Sequence, residues 1–399
     1  MFPPAAIPVP VSPPESGTPR TLTLVPNRAG RANSHAALND PTPEKLRALQ
    51  HQTGYPMISV LASTAPDLEI DSAVISRIDA LLRLAETRLA SEMDPKEAAA
   101  RIAPLEQFAM SLIGQRSGHG LAIFGSPKGL TAFRLASRIE DRVVIDPTFA
   151  TRDLARSLAL NPRYRLLVLG RDMARVFIGS ARCLQEVNEA GFPMQRFELL
   201  DRGNRSIEAE RLRKGKHADA VFVRRVATGL GSLAESTNLP LIAVVSTSMG
   251  SALRESEAIN PVGIVTGSYA RIPRGRLIDV ARPSIDAHLA AVRETAMGRL
   301  EQARGTRRSA TGINHVWTAA QQNSIETLLV DETFRYAAWT TLGGRRLVRA
   351  FTIENPEVID DAVDEIIEMV QHIDGQVCFV PAGELGNDRI AAVLTKRVS

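Results

Sequence analysis

The residues best suited to handle a charged ligand lie in Asp201-Arg-Gly-Asn-Arg-Ser-Ile-Glu-Ala-Glu-Arg-Leu-Arg-Lys-Gly-Lys-His217 and just beyond it. From Arg202 to Arg225 there are eight basic side chains (Arg202, Arg205, Arg211, Arg213, Lys214, Lys216, Arg224 and Arg225) against three acids (Glu208, Glu210 and Asp219). A basic loop feeding a basic helix suits contact with a phosphate backbone, because each cation displaces a condensed counterion. Gly203 and Asn204, in the loop itself, complete the candidate RNA-binding set. The same composition also fits a solvated helix face with local Glu–Arg pairs. Arg271, Arg274 and Arg276 sit in a loop with Pro273 and Gly275 and extend the same basic character.

Other chemistries find less support. No GxxxxGK[ST] is present, and Gly229-Leu-Gly231 lacks the third glycine of a dinucleotide fingerprint. HExxH is absent and the seven histidines are scattered without ligand spacing, so neither a metal nor a cofactor is expected. Ser246-Thr-Ser248-Met-Gly250 follows an apolar run and precedes a helical pattern, the context of a nucleophile elbow. The elbow needs a glycine where Ser246 stands. The favoured reading is that Ser246, Thr247 or Ser248 caps the helix that follows, with anion binding at that helix start as a further option. No catalytic residue is assigned.

These residues need a scaffold, and the chain can supply one. Its 399 residues suggest two or three domains. Its 44% hydrophobic and 23% charged content is that of a globular protein. A net charge of +4 is compatible with nucleic acid, and 5% aromatic content argues against a broad base-stacking platform. No apolar run is long enough to span a bilayer. Cys183 and Cys378 form no CxxC and read as small core residues. Residues 1–43 are proline-rich and aperiodic, which reads as a disordered tail. Met1-Phe2-Pro3-Pro4 lacks the basic start and apolar stretch of a signal peptide, so a cytoplasmic location is expected.

Three folded units are expected after the tail. In 44–158, helices are predicted over Glu44–His51, Ile70–Met93 and Glu97–Ile113, with strands at Pro56–Ala62, Gly120–Phe124, Leu130–Leu135 and Arg142–Ile145. In 159–304, Tyr164–Gly170, Ala174–Ile178 and Cys183–Val187 read as a meander. A helix over Ile207–Leu233, a strand at Leu239–Val245, a helix over Ser251–Ile259, a strand at Pro261–Val265 and a helix over Ile278–Arg304 follow. Meander strands that give way to alternating strands and helices imply a mixed sheet with helices on its faces. In 305–399, after a basic linker Arg304–Ala310, helices at Gly312–Asn323 and Asp360–Ile373 alternate with strands at Ile325–Val330 and Gly375–Val380. Ile390–Leu394 reads as a helix end or a strand.

That order of units, with Val316-Trp-Thr-Ala-Ala-Gln-Gln-Asn-Ser-Ile-Glu-Thr-Leu-Leu-Val330, Asp360-Asp-Ala-Val-Asp-Glu-Ile-Ile-Glu368 and Gly375-Gln-Val-Cys-Phe-Val-Pro-Ala-Gly383, resembles the bacterial homologues of the archaeo-eukaryotic peptide-chain release factors. Pro56–Ala62 and Gly120–Leu135 are similar to the N-terminal domain of that family. The resemblance covers about 45–399. It implies an α/β fold of three domains: an α/β N-terminal domain, an RNase H-like mixed-sheet middle domain, and a C-terminal α/β/α sandwich like that of kink-turn-binding ribosomal proteins. In release factors a middle-domain loop carries Gly-Gly-Gln. Here the matching loop is Asp201-Arg-Gly-Asn-Arg205, and the chain's only Gly-Gly, Gly343-Gly344, is followed by Arg345. The resemblance therefore implies a translation factor that binds the ribosomal A site in hibernation or rescue, with ribosomal RNA facing the basic segment and elongation factor Tu as a possible protein partner. The alternative is a peptidyl-tRNA or RNA-ester hydrolase with a non-standard loop, a carboxylate near Asp201 and His217 replacing the glutamine.

Overall fold

The computed structural model describes residues 38–180, 183–196, 216–233, 238–269, 272–351 and 357–396. Three sheets organise them. The first has the order β1-β4-β3-β2-β5, made of β1 (Leu38–Asn39), β2 (Met57–Ser63), β3 (Gly120–Ser126), β4 (Gly129–Leu135) and β5 (Arg142–Asp146). Its pairs are antiparallel except for β1 beside β4. The helices that flank it are α1 (Pro43–Gln50), α2 (Ser72–Ala90), α3 (Pro95–Met110) and α4 (Arg152–Leu160). Asp71 and Asp94 start α2 and α3 by accepting hydrogen bonds from Val74 N and Lys96 N.

Strand β2 is buried from Met57 to Ala62, Ser59 included, because both of its faces are covered. Ile58, Val60 and Ala62 pack with Ile78 and Leu82 of α2 and Ile102 of α3. Met57 and Leu61 point the other way, into a cluster that also holds Val316, Leu328, Val363 and Ile366 from the far end of the chain. The first and last sheets thus share one core.

The second sheet is mixed and has the order β11-β10-β6-β7-β8. Its strands are β6 (Tyr164–Leu169), β7 (Met173–Gly179), β8 (Leu184–Glu186), β10 (Leu241–Val245) and β11 (Gly263–Thr266), with β9 (Met194–Gln195) added beside β7. β6, β10 and β11 run parallel, and β7 reverses between β6 and β8. This is the RNase H-like mixed sheet that the sequence implied. Helices α5 (Lys216–Gly231) and α6 (Gly250–Arg254) cover the face of Leu167 and Leu169, while α7 (Arg274–Gly305) covers that of Leu166 and Val168.

The third sheet has the order β12-β17-β13-β16, from β12 (Ser309–Thr311), β13 (Ile325–Asp331), β16 (Gln376–Val380) and β17 (Ile390–Leu394). Helices α8 (Ile313–Gln321) and α9 (Ala362–His372) cover one face. The other face takes the second half of α7, through Ala296, Leu300 and Ala303 against Leu329, Val380 and Val393. The result is an α/β/α sandwich whose second helical layer comes from a helix that also serves the middle sheet. A separate two-stranded ribbon, β14 (Ala338–Thr341) with β15 (Arg346–Arg349), stands apart from this sheet.

Several sequence expectations need correction. The tail expected over 1–43 falls outside the described residues up to 37, but Leu38 is buried in β1 and Pro43 opens α1. The helix expected over Ser251–Ile259 stops at Arg254, since one turn buries Leu253 and the polar Glu255-Ser256-Glu257 has no apolar surface to cover. Of the helix expected from Ile207, the part before Lys216 lies outside the described residues. Cys183 is exposed, not a core residue, while Cys378 is half-buried. Ile390–Leu394 is a strand, fully buried between β12 and β13. Among the described residues, no helix is long and apolar enough to cross a membrane.

Candidate nucleic-acid interface

Helix α5 owes its seat to Phe222, Val223, Val226 and Leu230, which recur at helical spacing and are all at most 5% exposed against the middle sheet. Arg224 consequently points outward and is exposed. The chain entering and the chain leaving 197–215 are tied at one corner. Arg196, its side chain 4% exposed, pairs with Asp219 at 2.6 Å and donates to Arg171 O at 3.1 Å. Arg225 donates to Gln195 O at 2.7 Å, with its guanidinium 5.9 Å from the Phe222 ring centroid. Strand β9 fixes the same corner by pairing Met194 and Gln195 with Ala174 and Met173. Asp219 also lies in the first turn of α5, where a carboxylate suits the helix dipole.

Of the predicted RNA-binding residues, Arg202, Gly203, Asn204, Arg205, Arg211, Arg213 and Lys214 lie outside the described residues, as does the side chain of Lys216. The two that are described divide in role. Arg225 is engaged in holding Gln195. Arg224 makes no ion pair among the described residues and lines a groove of about 520 Å³ with Asp219, Ser248, Ser251, Glu255 and Glu257. The three carboxylates make this groove mixed in charge, so the basic character of α5 is confined to its rim. In the neighbouring set, Arg271 lies outside the described residues, Arg274 is paired with Glu186 at 2.9 Å, and Arg276 is exposed. Glu186 also takes Arg175 at 2.6 Å, and that hydrogen bond first, then Arg274, holds its carboxyl below the usual range.

The serine turn has no catalytic partner. Ser246 and Ser248 hydroxyls meet each other at 3.2 Å, and no histidine or carboxylate bonds either among the described residues. The expected cap is also absent. Met249 occupies the N-cap of α6 with no side-chain bond, and the turn closes instead through Met249 N to Ser246 O at 2.9 Å. Among the described residues no group of His, Cys, Asp and Glu is arranged to hold a metal.

Sequence reasoning missed the most perturbed ionisable groups. They lie where the first and third sheets meet. α9 presents Asp361, Asp364, Glu365 and Glu368 along one side, a spacing that ordinarily reads as a solvated face. Here that side is turned toward the N-terminal unit. Thr148 donates to Glu365 at 3.0 Å and Thr151 donates to Glu368 at 2.8 Å. Arg88 donates to Asp360 at 2.9 Å, and the buried Arg152 lies 3.7 Å from Asp361 while donating to Glu332 O at 2.8 Å. Burial, with the charge of Glu365 added, pushes Glu368 up to about 8. Burial and the charge of Asp360 push Asp146 up to about 8. Burial raises Asp360, Asp364 and Glu365 as well, Asp364 well above its ordinary value. Asp153 goes the other way: burial raises it, but Arg142, Arg152 and Arg156 outweigh burial and keep it ionised. Thr148 and Thr151 bind Glu365 and Glu368 across the contact between the first and third sheets, so these groups form part of that interface.

Comparison with known proteins centres on the middle sheet. The model of bacterial archaeo-eukaryotic release factor family 3 matches residues 163–323. No match is found among curated proteins. Among solved structures the chain is similar to ribosome-bound archaeal Pelota, at 15% identity over 91% of this chain and 96% of that one, with a TM-score of 0.41. It is similar to Archaeoglobus fulgidus Pelota at 16% identity, over 91% and 95% of the two chains, with a TM-score of 0.33. It is similar to S. cerevisiae Dom34, a translation termination-like factor, at 10% identity, over 90% and 95%, with a TM-score of 0.38. The span from the start of β6 to the end of α8, which contains α5 and its Arg196–Asp219 tie, thus matches the model of bacterial archaeo-eukaryotic release factor family 3.

Proposed function

We propose that this protein is a ribosome-associated translation factor that occupies the A site in hibernation or rescue. The observation that supports it best is the family match over 163–323, centred on a sheet that ties both ends of a basic segment to one corner. In this reading Arg202, Gly203, Asn204, Arg205, Arg211, Arg213, Lys214, Lys216 and Arg224 face ribosomal RNA. Arg225 acts by fixing Gln195 and so the base of the segment. Without Gly-Gly-Gln, the chain blocks or marks the site and releases no peptide. Elongation factor Tu is a candidate partner in the same complex.

The test is co-sedimentation with bacterial ribosomes, empty or carrying peptidyl-tRNA, across a salt series. Salt-sensitive binding to empty ribosomes without peptide release is the expected result. Arg202→Ala, Arg205→Ala, Arg211→Ala and Arg213→Ala combined should weaken binding and flatten its salt dependence, and Arg224→Ala alone should lower the slope by about 1. Unchanged binding by the folded variants would refute the assignment of this surface, and absence of binding by the wild type would refute the ribosomal reading.

A further inference from the structure

The ribbon of β14 and β15 is a second basic surface, remote in sequence from α5. Residues 338–351 contain Arg345, Arg346 and Arg349 and no Asp or Glu. None of the three forms an ion pair among the described residues. The ribbon's inner side is buried, with Ala338 0% and Leu347 2% exposed. The rest is open. Val348, cross-strand partner of Trp339, is 46% exposed, Leu342 at the tip is 74% exposed, and Phe351 just after β15 is 90% exposed. The Arg349 guanidinium lies 5.7 Å from the Phe351 ring centroid.

The tip is held in place from behind. Trp317 Nε1 and Gln321 Nε2 of α8 both donate to Gly344 O at 2.8 Å, and Leu347 N donates to Asn314 Oδ1 at 2.8 Å. Within that braced turn Leu342 has φ +55°, a left-handed conformation that a branched apolar residue rarely adopts. A turn shaped only by folding would place Gly or Asn there. Instead the chain keeps a leucine in an unfavourable conformation and points it at solvent.

We infer that this ribbon is a separate contact for unpaired RNA, with Arg345, Arg346 and Arg349 on phosphates and the Phe351 ring available to a base face. A guanidinium 5.7 Å from the centroid of a nearly fully exposed ring offers charge and a π-surface side by side, the pairing that holds single-stranded bases without sequence preference. An apolar protein groove would take Leu342 and Phe351 but would strand three guanidinium groups that form no ion pair among the described residues. The braced tip favours this role too, because a rigid ribbon loses little freedom on binding. The surface stands independently of the α5 reading.

The test is fluorescence anisotropy of a short fluorescein-labelled oligoriboadenylate with the full chain over about 50–200 mM salt. The wild type should bind. The variant Arg345→Ala/Arg346→Ala/Arg349→Ala should lower the log–log salt slope by about 2, at about 0.7 per phosphate contact on a single strand. Phe351→Ala should weaken binding about tenfold and leave the slope unchanged. All four side chains are exposed, and an unchanged melting curve verifies the fold. The inference is overturned if the wild type does not bind the oligonucleotide, if the triple variant keeps the wild-type slope, or if polyglutamate competes for the ribbon while oligoriboadenylate does not. Arg224→Ala separates the two surfaces. Loss of ribosome binding in that variant with oligonucleotide binding intact supports the ribbon as an independent site, and loss of oligonucleotide binding in Arg224→Ala but not in the ribbon variants refutes it.

Discussion

Glu368→Gln should make the protein less sensitive to alkaline pH. The Glu368 carboxyl is buried between α9 and the start of α4 and accepts a hydrogen bond from Thr151. Burial first, and the neighbouring Glu365 charge second, lift its pKa from 4.5 to about 8. The sign follows from proton linkage. Between those two values the folded chain keeps a proton that the unfolded chain has released, so stability is fully present below the lower value and is lost as pH rises toward the upper one. At about 1.4 kcal/mol per pH unit, this group alone removes about 2 kcal/mol between roughly pH 6 and 8. A glutamine keeps the Oε1 acceptor for Thr151 and cannot ionise. Urea unfolding followed by circular dichroism should show the variant close to wild type only below about pH 4.5, with its advantage widening by about 2 kcal/mol between roughly pH 6 and 8. Asp146 and Asp360 titrate in both proteins, and the difference reports Glu368 together with its coupling to Asp364 and Glu365. Parallel stability–pH profiles would refute the claim that this carboxyl is neutral in the fold.

Arg196→Met should cost about 3 kcal/mol in denaturant unfolding, because it leaves the partly buried Asp219 without its partner; a loss below about 1 kcal/mol would show that the tie is not structural. Leu38→Ala should cost about 2 kcal/mol in the same assay, since Leu38 is 5% exposed beside β4, and no change would mean that β1 is dispensable. Gly118→Ala should lower the melting temperature by an amount equivalent to about 1–3 kcal/mol, because the new Cβ would sit 2.1 Å from Leu135 O and backbone must move to admit it. Hydrogen exchange above pH 8, corrected for intrinsic rates, should deprotect α4 and α9 before the C-terminal half of α7; the reverse order would contradict the placement of the neutral carboxyls.

What could be read from the residues depended on whether a neighbour in space changes the meaning of a pattern. α2, α3, α9 and the strands of the middle sheet other than β9 followed from apolar spacing and turn signals, and stand within a few residues of their expected bounds. Asp361, Asp364, Glu365 and Glu368 were misleading for the opposite reason. Acids along one helix side read as solvated until a second domain covers them. The ribbon β14–β15 went unread although Gly343-Gly344 is a turn signal, because Arg345, Arg346 and Arg349 interrupt the apolar alternation that marks a strand. For the candidate site, charge pointed to the α5 region, but nothing in the run around Arg196 marked it as the partner of Asp219. A single cation beside a short apolar stretch has no periodicity to betray a contact made with a residue more than twenty positions along the chain.

The two contacts made by the third sheet differ in kind, and the difference bears on how the chain can work. Its contact with the middle sheet runs through α7, a continuous helix whose first half packs on Leu166 and Val168 and whose second half packs on Leu329, Val380 and Val393. That junction is apolar, with the half-buried Cys378 packed against it. Its contact with the N-terminal sheet joins a shared apolar cluster to Glu365 and Glu368, which accept from Thr148 and Thr151 and whose carboxyls burial pushes up. A large apolar interface resists the relative motion that is usual between domains, and the carboxyls make that resistance conditional on their protons. The middle and C-terminal sheets therefore behave as one unit that carries both basic surfaces, α5 and the ribbon, in fixed relation. The N-terminal sheet is attached to that unit by a contact whose strength depends on pH. Any partner that binds both basic surfaces meets a preset geometry, and adjustment to it must come from the N-terminal side.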